Sequence, residues 1–135
     1  MKRLTLVVLG GVLMLGGTSA SPAADLKDKV KVETSTVGLH PGMDPGLYIC
    51  SKNHLHIKGT VQNMADIPLG KIQVSGKAFG ADGELLGTAT FSPKLAALAP
   101  GEKAEINLEF LTVTGELIEK VKKHELAVVE ALPKR

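Results

Sequence analysis

Apolar and polar residues alternate with period two through most of the chain, the pattern of strands that bury one face and wet the other. Val30 and Val32 alternate with Lys29, Lys31 and Glu33, which predicts a strand over 28–36. Leu55, Ile57, Gly59 and Val61 alternate with His54, His56, Lys58, Thr60 and Gln62, and Ile72, Val74, Gly76 and Ala78 alternate with Gln73, Ser75 and Lys77. A return strand is expected over 84–91. Ala104, Ile106, Leu108 and Phe110 then alternate with Lys103, Glu105, Asn107 and Glu109, the most regular run of all.

Glycine and proline punctuate these runs. Pro41-Gly42 and Pro45-Gly46 mark a turning loop over 38–46, and Asp66 and Pro68 close the strand that begins at His54. Asp82-Gly83 between two alternating runs is a strong hairpin signal, because both residue types tolerate positive φ. The connection 92–101 carries Pro93 and Pro100-Gly101, and its Leu95-Ala96-Ala97-Leu98 centre suits one helical turn.

Residues 114–131 support two readings. Leu117, Ile118 and Val121 have helical spacing, and Glu116 with Lys120 and Glu119 with Lys123 stand four apart in the favourable acid-before-base order. From His124 the period returns to two, so a short helix over 115–122 and a final strand over 124–131 are expected; one helix reaching Ala131 is the competing reading. Six to seven short strands without a βαβ rhythm predict an all-β fold, an immunoglobulin-like antiparallel β-sandwich with one short helix before the last strand.

The start of the chain follows a different pattern. Lys2 and Arg3 precede an uncharged, mostly apolar run over 4–17, followed by Thr18, Ser19, Ala20, Ser21, Ala23 and Ala24. Basic start, short apolar centre and small residues make a secretory signal peptide over 1–24, with cleavage after Ala20, Ala23 or Ala24. The run is shorter than the roughly 20 residues that a membrane-spanning helix needs. No cysteine lies near its end, so lipoprotein processing is not expected, and the mature protein is expected to be periplasmic or secreted, a single domain over 25–135 without a membrane span.

Charge changes with that division. The full chain has 16 basic and 14 acidic residues, and removing Lys2 and Arg3 leaves 14 of each in the mature domain. A neutral domain with only four aromatics, Tyr48, Phe79, Phe91 and Phe110, offers no electropositive stacking surface for nucleic acid. The core must be aliphatic.

The order of turns over about 54–131 resembles the FxLYD and DUF3426-like group of small prokaryotic immunoglobulin-like domains. The resemblance rests on Gly59-Thr60-Val61-Gln62-Asn63, on Phe79-Gly80-Ala81-Asp82-Gly83 and on Leu98-Ala99-Pro100-Gly101-Glu102. Ala78-Phe79-Gly80 stands where Leu-Tyr-Asp is usual. The resemblance implies an exported, non-catalytic module, and its motifs are turns and core positions rather than chemistry.

Candidate chemistry is sparse. There is no phosphate-binding glycine loop, nucleophile elbow or paired Cys-x-x-Cys, and Asp66 and Asp82 read as turn residues rather than as acid–base partners. One group stands out: His40, Met43, Cys50, His54 and His56, with Met64 further on. Imidazole, thiolate and thioether suit copper or zinc, and two histidines two apart on a strand project from one face. Two functions follow as expectations. The first is a protein-interaction or scaffold module, without a cofactor, for another exported or envelope protein. The alternative is a periplasmic copper or zinc protein using Cys50, His54 and His56, with His40 as a further ligand.

Overall fold

The computed structural model describes residues 25–135, and the expected signal peptide over 1–24 lies outside them. A 3₁₀ turn, Lys27–Lys29, leads into β1 (Val30–Thr34), β2 (Leu47–Ile49), β3 (His54–Asn63), β4 (Leu69–Phe79), β5 (Leu85–Phe91), β6 (Lys103–Thr114), the helix α1 (Glu116–Lys120) and β7 (Lys123–Pro133). All pairings are antiparallel. Over the described residues the fold is a two-sheet β-sandwich of seven strands with a short helix before the last, as the alternation predicts.

The first sheet is organised around β3. Along one edge β3 pairs with β6, from Leu55 opposite Phe110 to Gln62 opposite Lys103. Its other edge is shared end to end: β1 covers 59–63 and β2 covers 55–57. The second sheet has the order β5, β4, β7.

Between the sheets lies an aliphatic core. Leu55, Ile57 and Val61 of β3 face Ile72, Val74 and Ala78 of β4, with Ile106, Leu108 and Phe110 of β6 beside them, all essentially without solvent exposure. Phe110 is the one aromatic fully buried. Its ring fits because β4 carries Gly76 opposite; a Cβ there would stand 2.7 Å from Leu108 Cδ2 and 3.0 Å from Phe110 Cζ. Gly59 serves a related need in the first sheet, where a Cβ would collide with the Glu33 carbonyl of β1.

Asn63 is the one buried polar side chain among the described residues. Its Nδ2 donates to the carbonyls of Ile67 (2.9 Å) and Leu98 (2.8 Å), and its Oδ1 accepts from the Ala65 amide (2.8 Å). Its backbone also exchanges hydrogen bonds with Glu102 and Gly101. A fully satisfied amide therefore ties the β3–β4 connection to the β5–β6 connection.

The connection 92–101 departs from expectation. Its centre makes no helical turn: Leu98 is buried and bridges Leu69 through reciprocal backbone hydrogen bonds of 2.7 and 2.9 Å. Burial of Leu98 against the end of β4 outweighs the weak local helical preference of the Leu-Ala-Ala-Leu run. The hairpin at Asp82-Gly83 forms, but only Gly83 takes positive φ (+85°); Asp82 instead accepts the Glu84 amide on its carboxylate. Residues 123–133 are strand throughout, which removes the reading of one long helix.

Candidate metal centre

The outer face of the first sheet carries the polar half of each alternating run. Across its open end, cross-strand register sets Tyr48 of β2 opposite His56 of β3, and His56 opposite Glu109 of β6. Next to this row a tight turn joins β2 to β3. In it the Cys50 amide donates to the His54 carbonyl, the Asn53 amide donates to the Cys50 carbonyl, and Asn53 takes φ = +64°. The hairpin between β4 and β5 has the same pattern with Gly83 in place of Asn53. Asparagine is among the few side chains that tolerate this region, and here it brings the chain back so that Cys50 borders the histidines.

Cys50, His56 and Glu109 converge. One ligand atom from each, a thiol sulfur, an imidazole nitrogen and a carboxylate oxygen, lies within 4.8 Å of the other two. Tetrahedral zinc, with bonds of roughly 2.0–2.3 Å, holds its donors about 3.4–3.7 Å apart. A contraction of about an ångström would close the set around an ion.

His56 is the most constrained member. Its side chain is 12% exposed, its ring stacks on Tyr48 with centroids 4.8 Å apart and planes 23° apart, and Nδ1 lies 2.8 Å from Asn107 Oδ1. Nε2 is buried and has no hydrogen-bond partner. The nearest charged oxygen, Glu109 Oε2, is 3.6 Å away, beyond a good hydrogen bond.

His54 joins the site at one remove. Its Nδ1 is 2.8 Å from Glu109 Oε2, which fixes the carboxylate beside His56. That hydrogen bond is the main reason the Glu109 carboxyl is held below its ordinary value of about 4.5; partial burial pulls the other way, and the fields of His56, His54 and Lys52 lower it further. His40 is elsewhere. It hydrogen-bonds the Pro41 carbonyl and lines a cavity of about 510 Å³ with Met43, Ile118 and His124. Met43 packs against the core margin, and Met64 is exposed at the far end of β3.

Sequence reasoning named Cys50, His54 and His56 and missed Glu109, Asn107 and Tyr48. Period two already placed Glu109 and Asn107 on one strand face. What it did not supply was the register that sets β6 beside β3, which depends on contacts far apart along the chain. Comparison with known protein families, with curated proteins and with solved structures found no match.

Proposed function

We propose that the protein is an exported metal-binding β-sandwich that takes Zn(II), or an ion of similar preference, at Cys50, His56 and Glu109. The observation that carries this reading is the convergence of Cys50, His56 and Glu109 together with a buried, unpartnered Nε2 on the same His56 ring. An apolar filling or a hydrogen bond would be the usual fate of such an atom. Thiolate favours soft ions, carboxylate hard ones and imidazole those between; Zn(II) accepts all three. Cu(I) suits the sulfur but gains little from the carboxylate. Three protein donors leave a fourth position for water or a further ligand.

Titrating the purified, reduced protein with Zn(II), Cu(II) and Cu(I) tests the reading. Expected is saturable 1:1 Zn(II) binding that weakens at least about tenfold in Cys50→Ala, His56→Ala and Glu109→Gln, and is unchanged in His40→Ala. Binding indifferent to all three substitutions would overturn it.

A second reading, the interaction module, has its own support. The 109–112 stretch of β6 and the facing strand β5 border a shallow groove of about 360 Å³ lined by Thr88, Thr90, Leu111 and Thr112, with Leu111 64% exposed. Such an edge suits a strand from another exported or envelope protein. Glu109 borders both features, so the two readings are compatible. Retention of the protein on immobilised envelope extract, lost in Leu111→Lys, tests this one.

A further inference from the structure

Metal capture by His56 requires Nε2 to carry a lone pair rather than a proton, yet a neutral histidine in water prefers the proton on Nε2. We infer that Asn107 holds His56 in the less common Nδ1–H tautomer, so that Nε2, the nitrogen 3.6 Å from Glu109 Oε2, is bare before any ion arrives. The tautomer stands on the hydrogen-bond geometry alone; its value to an ion rests on the metal-binding reading above.

Three observations converge. Asn107 Oδ1 is 2.8 Å from Nδ1, while Asn107 Nδ2 donates to the Tyr48 hydroxyl at 2.7 Å, so both ends of the amide are engaged in a network spanning β2, β3 and β6. With the amide oriented this way its oxygen requires a proton on Nδ1. The Tyr48 hydroxyl is also near Nδ1, but at 3.3 Å, the longer of the two contacts. The third observation concerns the other nitrogen. A proton on Nε2 would be a buried donor with no acceptor within hydrogen-bond distance, Glu109 Oε2 standing at 3.6 Å, whereas a bare Nε2 is a buried acceptor, the less costly state to leave unpartnered. Stacking on Tyr48 adds a barrier to turning the ring over and exchanging the two nitrogens.

Asn107 is thus a positioning residue. Partners of this kind on metal-binding histidines commonly set tautomer and ring direction, and their loss weakens metal affinity about 10–100-fold. Nothing in the alternation of β6 distinguishes Asn107 from its neighbours Glu105 and Glu109; its role comes from the diagonal step between β6 and β3.

Long-range proton–nitrogen NMR correlation of the ¹⁵N-histidine-labelled, metal-free protein, recorded across a pH series, reads the tautomer directly. Expected for His56 is a protonated Nδ1 and an unprotonated Nε2. An Nε2–H pattern overturns the inference. Asn107→Asp keeps the acceptor, so the Nδ1–H signature and Zn(II) affinity persist. Asn107→Ala removes it, and the signature shifts toward Nε2–H with affinity lower by about tenfold or more. If the alanine variant fails to fold, Asn107→Ser supplies the shorter side chain for the same comparison. Nδ1–H in a protein that binds no Zn(II) would overturn the metal reading and leave the tautomer standing; Zn(II) binding with Nε2–H would do the reverse.

Discussion

The Nδ1 of His54 meets Oε2 of Glu109 at 2.8 Å, and this contact across β3 and β6 keeps the carboxylate at the edge of His56. Without it, Glu109 is a half-exposed side chain free to point into solvent. His54→Ala is expected to raise the Glu109 carboxyl toward its ordinary range and to weaken Zn(II) binding about tenfold. Carbon-detected NMR titration of Glu109, beside calorimetry of the same variant, checks both. An unchanged carboxyl titration would show that the contact is not made in solution.

The same contact gives the stability a pH dependence of known sign. Folding lowers the Glu109 value, so the stabilisation is complete above the unfolded carboxylate range and fades as pH falls through the lower folded value. Wild type is therefore expected to resist urea slightly better than Glu109→Gln at neutral pH, with the gap narrowing on acidification below about pH 4. The effect is small because the group is open to solvent. A gap that widens on acidification would contradict this sign.

Asn63 offers a larger effect. Asn63→Ala removes three side-chain hydrogen bonds and leaves the Leu98 carbonyl buried with less pairing, at an expected cost of about 2–4 kcal/mol in urea unfolding. Asn63→Asp is expected to cost more, since it turns a carboxylate oxygen toward the carbonyls of Ile67 and Leu98. A change under about 0.5 kcal/mol would place it with ordinary surface substitutions.

The turn that presents Cys50 depends on Asn53 at φ = +64°. Asn53→Gly is expected to leave stability and Zn(II) affinity nearly unchanged. Asn53→Val should cost about 1–2 kcal/mol and shift Cys50 away from His56. Thermal unfolding and Zn(II) calorimetry on the pair of variants separate the two results.

How far the sequence revealed these features can be judged residue by residue. Strand faces were legible because burial follows period two: Leu55, Ile57 and Val61 point into the core and His54, His56 and Lys58 out of it. The final strand was legible where alternation resumed at His124. Where local pattern and distant packing disagree, packing prevails. Leu98 bridges Leu69 instead of turning helically, and β6 runs past Phe110 to Thr114, with a register shift where Thr114 pairs with His54. The candidate site divides the same way. Cys50, His54 and His56 lie within one short stretch and share a hairpin, so chemistry and spacing suffice to name them. Glu109 and Asn107 look like any polar strand residues until β6 is paired with β3.

That pairing also determines when the site comes into being. Cys50 and His56 can approach each other as soon as their local turn forms, but Glu109 arrives only after β6 has found β3 across the intervening strands β4 and β5. An ion held by all three donors consequently recognises the finished fold and adds its binding energy to that state alone. For an exported chain, as proposed for this one, that completes its fold only after export, the metal supply of the compartment where folding ends would govern which ion is taken, independently of what the cytoplasm contains.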